Sequence, residues 1–126
     1  MSELARSTRK RAGAPQELDR EFTTALWKAH VLHHAASGPV YGLWLLQELA
    51  EHGYRPSPGT LYPLLARMER HGLLRSRAAA RAKARRSYEI TPAGGRVLKA
   101  LREKIAELHR EVVVQGGAAA RRRSTG

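Results

Sequence analysis

The sequence predicts a mainly α fold, a winged helix-turn-helix domain with a two-stranded wing and a C-terminal dimerisation helix. Three observations predict it. A short helix with start and stop punctuation lies between Ser57 and Gly72; a basic hairpin follows, with seven Arg or Lys and no Asp or Glu from Arg70 to Tyr88; and the apolar residues of the terminal segment repeat at helical spacing. A polar helix face followed by a cationic hairpin suits a DNA groove and its phosphates.

Composition bounds the reading. A chain of 126 residues supports one domain with a modest core. A net charge of +12 favours a polyanionic partner, because each Lys or Arg laid on a phosphate releases condensed counterions. Eighteen of the 23 basic residues are Arg, which a GC-rich genome also produces, so the clustering of charge counts for more than its total. Without cysteine there is neither a disulfide staple nor thiol catalysis. No apolar run reaches the roughly 18 residues of a membrane span, and none follows Arg6, Arg9, Lys10 and Arg11 to make a signal core. The expected setting is cytoplasmic, without a membrane partner.

The expected organisation is a flexible basic arm over 1–15, the DNA-binding domain over 16–92, the dimerisation helix over 93–115 and a disordered basic tail over 116–126. A first helix is predicted from Glu17 to Ala36, closed by Ser37-Gly38-Pro39. At about 100° per residue it carries two apolar faces. Leu18, Phe22, Ala25, Leu26, Ala29 and Leu32 form one; Trp27 and Val31, flanked by His30 and His34, form the other. Two faces need two neighbours, the domain's own core and a partner chain. The next helix is predicted from Val40 to His52 with Leu43, Leu46, Leu49 and Ala50 inward, ending at Gly53. The short connection to Pro56 forces a steep return, the helix-turn-helix arrangement.

Ser57 reads as an N-cap with Pro58 at the first helical position. Pro63 either kinks that helix or marks a regular part that starts only with Thr60 as cap. Leu61, Leu64, Leu65 and Met68 supply the buried face and Gly72 ends it. Leu73-Leu74 begin one wing strand, Tyr88 and Ile90 alternate in a second, and Ala78 to Arg86 are read as the loop between them. Thr91-Pro92 opens the last helix, predicted to Val114. Leu98, Leu101, Ile105, Leu108 and Val112 follow a 3-4-3-4 spacing, the a/d seam of a coiled coil. The 19 residues from Arg96 to Val114 extend about 28 Å, longer than a small core needs, so part of the seam is expected in a homodimer interface.

These motifs resemble the PadR-like family of winged-helix transcriptional regulators. The resemblance rests on Gly38-Pro39-Val40-Tyr41-Gly42, Ser57-Pro58-Gly59-Thr60-Leu61-Tyr62-Pro63, Gly72-Leu73, Tyr88-Glu89-Ile90-Thr91-Pro92-Ala93-Gly94 and the terminal helix, over about residues 20–114. It implies a homodimer that represses a promoter and leaves the DNA when a small molecule binds; the single terminal helix resembles the short subfamily. Trp44 stands where the family carries a polar residue, and the terminal helix has no aromatic residue for stacking an effector.

On this reading Thr60, Pro63 and Arg67 face the major groove of a double-stranded operator, with Arg67 suited to a bidentate guanine contact. Ser57 and Tyr62 hold phosphates at the helix N-terminus. Lys83, Arg85 and Arg86 clamp the backbone, and Tyr41 is a phosphate contact or a core tyrosine. Trp27, His30, Val31 and His34, meeting Leu101 and Ile105 of a partner, would wall a site for a small aromatic or cationic effector, or merely fill an interface. His30, His33 and His34 have helical spacing that could present two metal ligands, as with His30 and His34 at i and i+4, but no Cys accompanies them and no acidic residue lies within a turn, so no metal and no cofactor is assigned. A metal-responsive repressor and a non-specific architectural DNA-binding protein are the alternatives. His52 and His71 need only a capping role beside their glycines, and Glu48 and Glu51 read as solvated helix positions. Nothing supports catalysis: there is no phosphate loop after a strand, no carboxylate pair and no nucleophile with a base.

Overall fold

The computed structural model describes residues 13–79 and 82–117, with side chains for 19–77 and 86–117. Its elements in chain order are helix α1 (Gly13–Ala35), strand β1 (Val40–Tyr41), helix α2 (Gly42–Glu51), helix α3 (Pro58–Arg70), strands β2 (Leu74–Ala79) and β3 (Ala82–Ile90), and helix α4 (Pro92–Leu108), which passes into π-helical winding over His109–Gln115. The three strands form one antiparallel sheet in the order β1-β3-β2. The architecture is mainly helical with a small winged sheet, as the sequence predicts. The predicted arm and tail lie, apart from 13–15 and 116–117, outside the described residues.

Local signals place the turns. Gly38, Gly53 and Gly72 all have positive φ, and each follows the last turn of a helix, where a left-handed residue stops the winding at no steric cost. Thr91 caps α4 in full: its hydroxyl accepts from the Gly94 amide and donates to the Gly72 carbonyl, binding the end of α3 to the start of α4. Gly94 is compelled by space, since a Cβ there would run into the Leu73 carbonyl and come within 2.8 Å of Ile90 Cγ1.

One core serves the whole fold. Val31, Leu32 and Ala35 of α1, Val40 of β1, Leu45 and Leu49 of α2, the Leu61-Leu64-Leu65-Met68 face of α3, Leu74, Tyr88 and Leu98 form a continuous buried cluster, with Trp27, Leu46, Tyr54, Leu73, Ile90 and Leu101 packed against it. Burying Tyr88 between strands raises its phenol pKa, since the anion would lose its water.

Four expectations are corrected here. The first helix begins at Gly13, and its Trp27–Val31 face is turned to the core of its own chain; the face left over carries Phe22, 68% exposed, and Leu26. The two stripes meet at Leu32, so their angular spacing alone could not rank them. In the second segment, Val40-Tyr41 is a strand rather than the first turn of a helix. It pairs with β3 through Val40–Tyr88 and Tyr41–Ser87; Leu49 is buried and Leu46 packs on the core as expected, but Leu45 is buried in place of Leu43, which is 61% exposed. The wing strands extend to Ala79 and from Ala82, where those two residues pair beyond a register shift, so most of the segment read as a loop lies within the strands. Finally, α3 runs unbroken from Pro58 through Pro63, so it does not start at Thr60.

Candidate nucleic-acid interface

The apolar spacing of α3 fixes what its outer face presents. Leu61, Leu64, Leu65 and Met68 are sunk in the core, which turns Thr60, Pro63, Arg67 and Arg70 to solvent on the opposite side. Ser57 is extended at the N-cap, but its hydroxyl does not cap the backbone; it lies 3.1 Å from the Thr60 hydroxyl, while the Ser57 carbonyl accepts from the Thr60 and Leu61 amides at 3.0 and 2.9 Å. Pro58 has no N–H and the Thr60 and Leu61 amides are taken, so the first turn leaves the Gly59 amide for an anion. Inside the helix Pro63 supplies no N–H, so the Gly59 carbonyl lacks its usual partner and stays available to solvent or ligand.

Three chain segments converge beside this end. The Tyr62 ring, half exposed, lies over Gly42: a Cβ there would sit 2.8 Å from the ring Cζ and 2.9 Å from the hydroxyl oxygen. Tyr41, the preceding residue, is exposed and paired to Ser87, next in sequence to Arg86, which is also exposed. Thus β1 stitches the start of α2 to the wing, and Tyr41, Tyr62 and Arg86 are brought to one region. On the other side of β3, Arg75 and Arg77 are exposed on β2. Glu69 of α3 accepts a hydrogen bond from the Ser76 amide, which fixes the wing to α3. Arg77 lies 3.5 Å from Glu89, an exposed pair of little energetic weight. The side chains of Lys83 and Arg85 fall outside those described.

The residues read as an effector pocket are not brought together as expected. Val31 is fully enclosed in the chain's own core, and Leu101 packs on it. Trp27 stacks edge-on against Tyr54, its centroid 6.4 Å away, and its indole N–H is buried with no hydrogen-bond partner among the described residues. Trp27 instead borders a cleft of about 440 Å³ with Asp19, Arg20, Thr23, Thr24 and Thr60, between α1 and the N-terminus of α3. Along the seam, Leu98 is buried, but Ile105 is 48% and Leu108 60% exposed. Val112 falls in the π-helical segment, whose wider winding takes it off the 3-4 row.

His30 and His34 face α2, where they meet residues that no spacing in the chain joins to them. Glu48 Oε1 is 3.5 Å from Nε2 of both His34 and His52, and the nitrogens of His30, His34 and His52 lie within 4.8 Å of one another. Burial lowers the pKa of His30, assisted by His52, His34 and His33 and opposed by Glu48. It lowers that of His34 as well, with Glu48 opposing and His33 and His52 adding to the shift. The i, i+4 spacing of Glu48 and His52 was the only sequence signal for their side of the cluster, and it has a routine explanation as a surface pair.

Comparison with known proteins agrees with this geometry. Over 95 residues, 75% of this chain and 89% of the other, the sequence is 53% identical to a transcriptional regulator of Mycobacterium tuberculosis, Rv3488. A PadR family transcriptional regulator from Eggerthella lenta superposes with a TM-score of 0.61 at 32% identity, covering 80% of this chain and 94% of that one. A PadR-like transcription factor from Bacteroides fragilis has the same fold, with a TM-score of 0.66 at 24% identity over 76% of this chain and 95% of that one. Residues 31–100, from the core end of α1 through α3 and the wing into α4, match the transcriptional regulator PadR-like family. With the winged fold, the exposed α3 face and the basic strand beside it, the chain belongs to the PadR-like family of transcriptional regulators and is not an enzyme.

Proposed function

We propose that the protein is a homodimeric repressor that binds a pseudo-palindromic operator in the cytoplasm and is released by a small-molecule effector. The observation that carries this reading is the outward row Thr60, Pro63, Arg67 and Arg70 on α3, flanked by exposed Tyr41, Tyr62 and Arg86. A helix with short polar residues and an Arg on its outer face fits the major groove, and cations on the flanking strand fit the adjacent phosphates. Two-fold pairing is supported by the exposed Ile105 and Leu108 on α4 and Phe22 and Leu26 on α1, apolar surface that a partner would cover.

For the effector, the cleft between α1 and α3 is the better candidate than the face first read for it. Trp27 gives it an aromatic wall, Asp19 and Arg20 one charge of each sign, and Thr60 belongs to α3, so a small polar aromatic molecule there would touch the DNA-reading element directly. The test is binding to DNA from the protein's own upstream region against random DNA of equal length, at several salt concentrations. A repressor of this kind prefers the upstream DNA by about 10³-fold or more. Equal affinity for both would establish the architectural alternative instead.

A further inference from the structure

The histidine cluster between α1 and α2 has no part in DNA reading, yet it is built like a ligand set. His30 and His34 stand one turn apart on α1, Glu48 and His52 one turn apart at the end of α2, and the two pairs face each other. Two i, i+4 pairs on facing helices are a recurring way for helical proteins to converge four donors on one point. We propose that His30, His34, His52 and Glu48 form a binding site for a divalent transition metal of the zinc type, clamping α1 to α2.

The geometry supports an N3O set. Donors about 2.0–2.2 Å from a tetrahedral zinc lie roughly 3.3 Å from one another, so nitrogens now within 4.8 Å need to close by roughly 1.5 Å at most, within reach of side-chain rotation. His34 Nε2 is buried without a hydrogen-bond partner among the described residues, with the Glu48 carboxylate at 3.5 Å, beside it but not bonded. A buried imidazole nitrogen left unpaired is costly, and a cation between it and the carboxylate would satisfy both. Among the described residues, the ion-pair partners of Glu48 are these two histidines alone, so no Arg or Lys competes for the position.

The surroundings suit a bound cation as well. Trp44 stands edge-on to His34 with centroids 5.2 Å apart, and Tyr54 edge-on to His30 at 5.5 Å, which limits water access and restrains the rings. Burial, with the neighbouring imidazoles, lowers the pKa of His30 and His34, which favours the neutral form that ligates. Three nitrogens and one carboxylate favour zinc, cobalt or nickel over magnesium or calcium, which require mostly oxygen. The site does not depend on the operator-binding reading, and it is tested without DNA.

The experiment is a titration of the tag-free, chelator-treated full chain with Co²⁺ and Zn²⁺ at pH 7.5, read by the visible Co²⁺ spectrum, by tryptophan quenching and by thermal unfolding. The expected result is one Co²⁺ per chain with the intense visible bands of a tetrahedral ion, displaced by Zn²⁺, and a melting temperature that rises with Zn²⁺ concentration. Mg²⁺ should do neither. His52→Ala, at an exposed helix end and therefore tolerated by the fold, should weaken Co²⁺ binding by about 100-fold or more, and Glu48→Gln by about 10- to 100-fold. His33→Ala, a neighbour outside the cluster, should leave it unchanged. Absence of saturable binding, affinity unaltered in His52→Ala, or an equal loss in His33→Ala would overturn the proposal.

Discussion

Arg67 projects from the middle of the outward face of α3 with no ion pair among the described residues, so its guanidinium is free to read a base. Arg67→Ala should cost about 1 to 3 kcal/mol on the operator and little on random DNA, because a bidentate guanine contact exists only at the correct sequence. Competition binding on the two DNAs checks this; equal losses would reduce Arg67 to a phosphate contact. Gly42 makes the converse case, a residue that acts through what it leaves room for. Gly42→Ala should push the Tyr62 ring away from its seat, costing about 1 to 3 kcal/mol of stability from overpacking. It should also weaken binding to operator and random DNA alike, since Tyr62 would serve phosphates rather than bases. Urea unfolding and binding to both DNAs measure the two effects separately.

At the scale of elements, the wing is positioned by bonds that join it to its neighbours. Glu69 reaches from α3 to the Ser76 amide, and Thr91 ties Gly72 to Gly94, so α3, the wing and α4 form one mechanical unit. Thr91→Val keeps the shape but removes the cap and the bond to Gly72; about 1 to 2 kcal/mol of unfolding free energy should be lost, visible as a lower urea midpoint with unchanged slope. The charges of β3 are expected to act without regard to sequence. Replacing Arg85 and Arg86 with Ala should weaken both operator and random DNA and reduce the magnitude of the salt slope by about 2, one unit for each lost phosphate contact.

For the whole molecule, the exposed apolar surface is what remains unaccounted for within one chain. Leu101 belongs to the chain's own core, so a charge placed there would damage the monomer; Ile105 and Leu108 lie beyond it. Ile105→Asp combined with Leu108→Asp should therefore give a folded monomer by light scattering, with native helical content by circular dichroism. Its operator affinity should fall far more than its affinity for random DNA, because only the operator uses two half-sites joined at fixed spacing.

By itself the sequence determined the features whose causes are local. Ser57-Pro58 starts a helix because the proline's φ is already helical, Gly72 stops it because only glycine winds left-handed without strain, and Thr91 caps within its own turn. The inward face Leu61, Leu64, Leu65 and Met68 likewise follows from periodicity, and with it the outward row that the DNA reading rests on. The tertiary structure decided everything that depends on a distant partner. Val40-Tyr41 is extended because β3 supplies its hydrogen bonds, more than 40 residues later in the chain. Trp27 and Val31 face inward because α2, α3 and the sheet close on that side of α1, a choice between two apolar stripes that no spacing can make. His30 and His52 are 22 positions apart and each has an ordinary explanation alone. Packing of α1 against α2 turns them, with His34 and Glu48, into a cluster with the makings of a site.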